Sequence, residues 1–348
     1  MTPEDAYREA ERRIAGANRI DARKLSLFGL GLTEIPRSLG QLTRLQKLYA
    51  HDNKLAVLPE ELGQLTQLRE LYIHNNKLRG LPKEIRKLTK LQVIHAQHNQ
   101  VAVLPEFLTQ LPQLEYFNLS SNRLSALPNP LGLTQLLQLD VSFNKLSTLP
   151  DSIGQLTQLM ALDVTANQLE AVPDRLWELE QLQSLRMSGN RLTALPEDIG
   201  KLTNLQDLYL KSNKLTTLPE ALRRLPNLLG LFLHENPDLG LPAEILGRDP
   251  HQLHYSVEPK TPREILDYYF ATRGTAGRAL REVKLIFVGR GEVGKSSMVD
   301  VLQRKPFVAG RPRTDGISIT PWKVNLSDGG AKVLLWDFGG QEIMHGTH

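Results

Sequence analysis

A 23-residue pattern of leucines recurs along most of the chain and restricts what it can fold into. The segment "LQKLYAHDNKLAVLPEELGQLTQ" begins at Leu45, and "LRELYIHNNKLRGLPKEIRKLTK" begins at Leu68. Both are variants of LxxLxLxxNxLxxLPxxLxxLxx, and a fixed period of this length is the signature of a stacked repeat array. The asparagine returns nine times, with one 22-residue step, at Asn53, Asn76, Asn99, Asn122, Asn144, Asn167, Asn190, Asn213 and Asn236.

Each part of the repeat has a physical role. Residues 71–74, Leu-Tyr-Ile-His, alternate with the period of a strand, so Leu71 and Ile73 are expected to point inward. The asparagine lies where the chain leaves the strand, and its amide can satisfy buried backbone groups of its own repeat and the next. Leu58-Pro59 fits the convex side, where proline needs no sheet hydrogen bond. The sequence therefore predicts a curved solenoid with one parallel strand per repeat.

This pattern resembles the leucine-rich repeat family over residues 22–247, with about ten repeats. The first unit, "LSLFGLGLTEIPRSLGQLTR", has Leu30 in place of the asparagine and is read as a degenerate repeat beside an N-terminal helical cap at residues 1–21. Residues 248–281 are predicted to form a C-terminal cap and a linker helix.

The outward strand residues predict a concave binding face, because such arrays bind partners there. Candidate partner-binding residues are Tyr49, Tyr72, His74, Arg186, Tyr209 and Phe232. Aromatic residues and arginine are good interface anchors. The alternative is an ordinary solvated sheet face. Because whole repeats separate the histidines in sequence, we expect no metal site among them.

A helix is predicted between the repeats and the following segment. Thr261 and Glu264 have the spacing of a capping box, Pro262 suits the first helical position, and Gly274 is placed as a C-terminal stop. The apolar residues of this helix either cover the end of the solenoid or pack on the next domain. They are Ile265, Leu266, Tyr269 and Phe270.

A phosphate-binding loop follows the helix. The strand 283–288 precedes Gly289, four residues, Gly294, Lys295 and Ser296, and a helix-forming segment comes next. Backbone N–H groups of such a loop surround phosphate oxygens, Lys295 would bridge the β- and γ-phosphates, and Ser296 would bind Mg²⁺. The predicted nucleotide-binding residues are Gly289, Gly291, Glu292, Val293, Gly294, Lys295, Ser296, Ser297 and Gly340. The alternative is a glycine-rich turn with an incidental Lys-Ser.

The residues after this loop resemble a Ras-like GTPase. Thr314 lies 18 residues past Ser296, where a switch I threonine would lie. Two strands, 317–326 and 331–336, are predicted to flank a turn at 328–330, and "DFGGQE" resembles the switch II motif. By this resemblance Asp337 holds Mg²⁺ through water, Gly340 senses the γ-phosphate and Gln341 orients the attacking water. The predicted catalytic residues are Gln341, Lys295 and Thr314, and the predicted metal ligands are Ser296, Thr314 and Asp337.

A kinase interpretation of Asp337-Phe338-Gly339 is rejected. A kinase needs an upstream H-R-D catalytic loop, and the sequence has none.

Leucine-rich repeats followed by a Ras-like domain resemble the Roco family, in which the G domain is called Roc and a COR domain follows. The segments "TPREILDYYF", "GRGEVGKSS" and "WDFGGQEIMHGTH" support this resemblance. The expected fold class is α/β: a leucine-rich-repeat solenoid followed by an incomplete P-loop Ras-like G domain at residues 282–348. A guanine-recognising Asn/Thr-Lys-x-Asp motif is missing, so the chain is expected to stop within Roc and before COR, and to be inactive by itself.

The resemblance implies a GTP-binding and GTP-hydrolysing switch that uses GTP or GDP with Mg²⁺ and forms a homodimer through COR. Its repeats would mediate protein–protein interaction or autoregulation. The alternative is a protein-binding scaffold with a non-functional nucleotide site.

Composition excludes several other classes of protein. The net charge of +4 is too small for a nucleic-acid footprint, and the absence of cysteine excludes disulfides and suits a reducing compartment. The charged N-terminus is unlike a signal peptide, and no apolar run reaches the length of a membrane span. We therefore expect a cytoplasmic protein without nucleic-acid partners.

Overall fold

The computed structural model describes residues 2–247, 260–273, 282–287, 295–303, 305, 317–326 and 329–338. The chain divides into two compact units, Met1–Tyr269 and Phe270–His348. The first contains the repeats, and the second contains the nucleotide-binding motifs.

The first unit contains a ten-stranded parallel sheet whose strands lie in sequence order. Each strand is three residues long and is followed by its own connection to the next repeat. The strands are β1 Lys24–Ser26, β2 Lys47–Tyr49, β3 Glu70–Tyr72, β4 Val93–His95, β5 Tyr116–Asn118, β6 Gln138–Asp140, β7 Ala161–Asp163, β8 Ser184–Arg186, β9 Asp207–Tyr209 and β10 Gly230–Phe232. The predicted solenoid of parallel strands is confirmed.

Burial alternates along each strand as the sequence predicts. Leu71 and Ile73 are fully buried, whereas Tyr72 and His74 are partly exposed on the concave face. Leucines at the same positions of neighbouring repeats form one continuous apolar core, which provides the main driving force for stacking.

The connections on the convex side contain short 3₁₀ helices, most of which begin directly after a proline, usually the proline of a Leu-Pro pair. Pro59 has an extended backbone with φ −70° and ψ 149°, and precedes the helix Glu60–Gln64. The 22-residue repeat between β5 and β6 has no such helix. The 3₁₀ helices span Arg37–Gln41, Glu60–Gln64, Lys83–Lys87, Glu106–Gln110, Asp151–Gln155, Asp174–Glu178, Glu197–Lys201, Glu220–Arg224 and Pro237–Leu239.

The buried asparagines form a ladder, with one difference from the prediction. Asn76 Nδ2 donates to the carbonyls of Ile73 (3.1 Å) and His74 in its own repeat, and to Ala50 O (3.0 Å) in the preceding repeat. Asn76 Oδ1 accepts from Leu55 N, also in the preceding repeat. Our expectation that the amide reaches the next repeat is therefore wrong. The Ala50 N–H donates forward to Tyr72 O, and the Ala50 carbonyl accepts both from Asn53 in its own repeat and from Asn76 in the following repeat.

Helices cover the array at both ends. Helix α1, Pro3–Arg19, is capped by Thr2 and Asp5 and buries Ala6, Ala10, Ile14 and Ala17 along one face. Helix α2, Ala243–Leu246, follows the last repeat.

Helix α3, Pro262–Arg273, begins with the predicted capping box. Thr261 N donates to Glu264 Oε2 at 2.9 Å, and Glu264 N donates to Thr261 Oγ1. Tyr269 is buried and its hydroxyl accepts from Leu218 N at 2.9 Å. Of the two alternatives for the apolar residues, Tyr269 therefore covers the last repeats, together with Ile265 and Leu266, which are also buried. Gly274 lies outside the described residues.

The described part of the second unit contains a three-stranded sheet and a helix. Strand β11, Glu282–Phe287, precedes helix α4, Lys295–Leu302. Strands β12, Ile317–Leu326, and β13, Gly329–Phe338, pair as an antiparallel hairpin, with β13 between β11 and β12. The predicted strands are present, but β13 begins inside the predicted turn and continues to Phe338, since Gly329 and Gly330 already pair with β12.

Candidate functional site

The pairing of the second sheet places the nucleotide motifs at one edge. Strands β11 and β13 are parallel, and Phe287 at the end of β11 pairs with Asp337 near the end of β13. Strand β12 runs antiparallel, so its first residue, Ile317, pairs with Phe338 at the same edge. The chain therefore leaves β11 towards the predicted P-loop, enters β12 from the predicted switch I and leaves β13 towards the predicted switch II, all at the carboxyl ends of the parallel strands. Ligands of open α/β sheets bind at this edge.

The structure locates four of the predicted nucleotide-site residues. Lys295, Ser296 and Ser297 form the first turn of α4, and Asp337 is the penultimate residue of β13. A helix N-terminus and a strand carboxyl end are the positions that a phosphate loop and a magnesium-binding aspartate require. The remaining predicted residues lie outside the described residues: Gly289, Gly291, Glu292, Val293, Gly294, Thr314, Gly340 and Gln341.

On the concave face of the repeats, two rows of rings stack along the array near its N-terminal end. In the first row, Tyr49 stacks on Tyr72 with ring centroids 4.8 Å apart, and Tyr72 stacks on His95 at 4.9 Å. In the second row, Phe28 stacks on His51 at 5.2 Å, and His51 stacks on His74 at 4.3 Å. We call these six residues the N-terminal ring cluster.

Two sequence interpretations of this cluster need correction. Phe28 was not recognised as a concave-face residue, although it precedes His51 by one 23-residue period. Whole repeats do separate the histidines in sequence, but this does not keep them apart in space, because β2 and β3 pair in register and bring His51 and His74 side by side. Residues one period apart in sequence are nearest neighbours in a solenoid.

A second, smaller cluster lies near the other end of the concave face. Tyr209 stacks on Phe232 with centroids 4.4 Å apart, and the guanidinium of Arg186 lies 4.9 Å from the centre of the Tyr209 ring. These three residues form the C-terminal ring cluster. Cation–π geometry of this kind presents a charged and aromatic surface together.

The centre of the concave face is polar and its groups bond to one another. Ser142 Oγ donates to Asp140 Oδ1 at 2.7 Å, and Thr165 N donates to Asp163 Oδ1 at 2.9 Å. Arg186 Nη1 is 4.0 Å from Asp163 Oδ2. The N-terminal ring cluster, this polar centre and the C-terminal ring cluster therefore follow one another along one continuous sheet.

Burial changes the acid–base properties of several concave-face groups. Desolvation lowers the pKa of His74, with the nearby His51 as the second cause, and desolvation also lowers the pKa of His95. Desolvation raises the pKa of Asp163, to which Asp140 adds. Burial and then the hydrogen bond from the Tyr72 hydroxyl to Glu70 raise the pKa of Tyr72 to about 12.

Both units of the chain match models of known protein families. Residues 43–101 and 180–237 match the family described as Leucine rich repeat, and residues 102–190 match Leucine-rich repeat region. Residues 284–348 match Ras of Complex, Roc, domain of DAPkinase. The chain is a leucine-rich-repeat protein with the Roco arrangement. The repeats and the Roc segment follow each other in the order that the sequence predicts for this family.

A relative with Roco in its name matches part of the chain. A probable serine/threonine-protein kinase, roco11 of Dictyostelium discoideum, is 32% identical over 103 residues, which is 27% of this chain and 7% of that protein. The match thus spans a small fraction of the relative's length.

Solved structures resemble the repeat unit. A leucine-rich-repeat protein of Leptospira interrogans is similar with a TM-score of 0.54 and 30% identity, over 64% of this chain and 73% of the other. The ectodomain of the receptor kinase GASSHO1/SCHENGEN3 from Arabidopsis thaliana, in complex with CASPARIAN STRIP INTEGRITY FACTOR 2, has a TM-score of 0.55 and 33% identity, over 63% of this chain and 28% of that one. The plant peptide hormone receptor RGFR1 in complex with RGF2 has a TM-score of 0.53 and 28% identity, over 60% of this chain and 35% of that one.

Within the described ranges, no helix has both the length and the apolar character to cross a membrane.

Proposed function

We propose that this protein is part of a Roco-type molecular switch that binds and hydrolyses GTP, with repeats that bind or restrain protein partners. The observation that carries the proposal is the register of the second sheet. It brings the ends of β11 and β13 and the start of β12 to one edge, and the sequence motifs proposed as P-loop, switch I and switch II adjoin these strand ends in the chain. The match of residues 284–348 to Roc supports guanine nucleotide as the ligand class.

The donor types at this edge fit a nucleotide with Mg²⁺. A serine hydroxyl and an aspartate carboxylate are hard oxygen ligands of the kind that Mg²⁺ accepts, here Ser296 and Asp337. Lys295, in the first turn of α4, would hold the β- and γ-phosphates. Mg²⁺ would neutralise charge that develops on the phosphate oxygens.

Three further roles are proposed for residues outside the described part of the chain. Gln341 would orient the attacking water, Thr314 would complete the metal shell, and the backbone N–H of Gly340 would contact the γ-phosphate. Each role follows from the place of the residue in its motif.

For the repeats, we propose that the two ring clusters are the contact sites for a protein partner. Arg186, Tyr209 and Phe232 lie together, as do Tyr49, Tyr72 and His74, and both clusters are at least partly exposed. Aromatic residues and arginine carry a large share of interface energy. A homodimer formed through a COR domain and a cytoplasmic location belong to the same proposal.

Nucleotide titration tests the proposal. Fluorescent GDP and GTP would be added to this chain, and to a form that extends past His348 through a complete Roc domain, in Mg²⁺ with ATP as competitor. We expect ATP-resistant binding and hydrolysis by the longer form. Lys295→Ala should abolish both, because the phosphate charge loses its fixed counter-charge.

Lys305→Ala is the matched control, since Lys305 is exposed and carries the same charge outside the motif. The control should behave as the unchanged protein. Binding by neither form, or equal loss in both lysine variants, would reject the switch and favour the alternative of a repeat scaffold with a non-functional nucleotide site.

A further inference from the structure

The concave face contains a cluster of potential metal ligands that the nucleotide site does not use. His51, Asp52 and His74 each offer a ligand atom, and these three atoms all lie within 4.8 Å of one another. The two imidazoles belong to adjacent repeats, and the carboxylate follows the first of them in the chain. We propose that these three residues form a binding site for a divalent transition-metal ion of the Zn²⁺ type.

Backbone structure brings these groups together. Tyr49 pairs with Tyr72 at the ends of β2 and β3, so the residues two positions later, His51 and His74, stand side by side. Asp52 has a left-handed backbone with φ 56°, which turns the chain directly after His51. Asp52 Oδ2 then lies 2.6 Å from His51 Nδ1, while Asp52 Oδ1 accepts from Asn75 Nδ2 at 2.8 Å. The carboxylate is thus fixed beside the imidazole pair by a contact from the next repeat.

A second observation concerns His74. Its Nδ1 atom is buried and has no hydrogen-bond partner in the described part of the chain. Buried polar atoms are almost always paired, so an unpaired one requires an explanation. Coordination through Nδ1 would give this atom a partner.

The ligand set favours zinc over magnesium or calcium. Two imidazoles and one carboxylate suit Zn²⁺ and related transition metals, whereas Mg²⁺ and Ca²⁺ prefer oxygen ligands alone. Zn–N and Zn–O bonds of about 2.0–2.2 Å require ligand atoms closer to each other than 4.8 Å, so the side chains must rotate slightly to close the site. Three protein ligands leave a fourth position on a partly exposed surface, open to water or to a partner's side chain.

Closure of the site has a structural consequence. The His51 and His74 rings are nearly parallel, with an interplanar angle of 7° and centroids 4.3 Å apart. Two parallel rings cannot both direct an in-plane lone pair at one ion between them. Zinc binding therefore has to tilt the rings and break the stack, which provides a readout at the two histidines themselves.

The test is calorimetric titration of the intact chain with Zn²⁺ alone, combined with NMR of histidine side chains. Other histidines in the sequence, such as His251, His254, His345 and His348, can bind zinc weakly, so the measurement compares variants. We expect His74→Ala to lose one high-affinity equivalent of Zn²⁺. In the unchanged chain, Zn²⁺ should shift the ring signals of His51 and His74 before those of other histidines.

Two variants keep the test decisive. Asp52→Asn preserves the side-chain shape but removes the anionic ligand, and should weaken Zn²⁺ binding at least by the roughly 10- to 100-fold that loss of an outer-shell partner costs. His234→Ala removes a histidine from the same row at the far end of the array and should leave the affinity unchanged. Circular dichroism checks that each variant is folded. Equal zinc affinity and stoichiometry in His74→Ala and in the unchanged chain would overturn the proposal, as would unshifted His51 and His74 signals.

Discussion

On the buried side of the ten-stranded sheet the same contact is made in repeat after repeat, whereas the concave side changes along the array. Asn53 and Asn236, at opposite ends of the ladder, both donate Nδ2 to one carbonyl of the preceding repeat and to carbonyls of their own. On the concave side, stacked rings give way to hydrogen-bonded serine and aspartate and then to the C-terminal ring cluster.

This difference indicates that the buried side provides stability, whereas the concave side can provide binding specificity. A repeated buried contact fixes the distance and register between neighbouring repeats, and its energy adds along the array. Once the register is fixed, outward residues can vary without changing the fold, and each row of the concave face brings residues 22 or 23 positions apart into contact. The predictions below test the two sides against each other.

The largest effect is expected on the buried side. Asn167 Nδ2 donates to Val141 O (3.0 Å) and Val164 O (3.0 Å), and its Oδ1 accepts from Leu146 N at 2.9 Å. Asn167→Ala leaves the buried Leu146 N–H unpaired, at about 1–3 kcal/mol. It also removes one donor from each carbonyl, at about 0.5–1.5 kcal/mol per hydrogen bond, although Val141 O still accepts from Asn144 and Val164 O from Asn190. We expect the free energy of unfolding to fall by roughly 3 kcal/mol or more, measured by urea denaturation.

Asn227→Ala is the control for the ladder. Asn227 Nδ2 also donates to a carbonyl of the preceding repeat, Thr203 O at 2.9 Å, but the bond is exposed. Water can replace it, so the change should stay within about 0.5 kcal/mol. Similar losses in both variants would show that burial of the ladder is not what stabilises it.

A smaller loss is expected from Gly154→Ala on the convex side. A Cβ atom at Gly154 would lie 2.6 Å from Arg175 O in the next repeat, so the two convex segments must separate. Such overpacking typically costs about 1–3 kcal/mol. A lowered urea midpoint for Gly154→Ala would show that convex packing, like the asparagine ladder, fixes repeat spacing.

Gly80→Ala is its matched control, because a Cβ atom there meets nothing within 4 Å. It should leave the midpoint unchanged or raise it slightly. If Gly154→Ala is equally harmless, the spacing between these repeats is not set by backbone contact at Gly154.

The smallest effect is local and lies on the concave side. The pKa of Tyr72 is raised to about 12 by burial and by its hydrogen bond to Glu70. In an alkaline titration followed by tyrosinate absorbance, Tyr72→Phe should remove a component that ionises near pH 12, while the fold is retained. Glu70→Gln should move that component to lower pH, because the neighbouring carboxylate no longer opposes the phenolate.

Tyr116→Phe is the control, since Tyr116 is exposed and lies outside both ring clusters. It should leave the late component in place. If the component near pH 12 persists in Tyr72→Phe, a tyrosine other than Tyr72 produces it.

Prediction from sequence worked best where the residues involved are close in the chain. The capping box at Thr261, the strand alternation at 71–74 and the order of the repeats follow from local chemistry, and each is present in the structure. The placement of Lys295 and Asp337 on a helix start and a strand end could also be predicted, because the motif includes those elements.

The features that the sequence did not predict depend on contacts between neighbouring repeats. The direction of the asparagine ladder depends on which carbonyls the sheet leaves unpaired, and the approach of His51 to His74 depends on register across the sheet. The packing of Tyr269 also could not be predicted locally, because its hydroxyl accepts from Leu218 N, 51 residues away in the chain.

The sequence by itself determined that this chain forms a leucine-rich solenoid followed by a Roc segment, since a 23-residue period and a P-loop can each be satisfied by few folds. Only the tertiary structure decided which side chains share a surface. Stacking converts a separation of 23 residues in the chain into ring contacts under 5 Å, as between Tyr49 and Tyr72, and the pairing that does so is made by backbone groups that every residue carries.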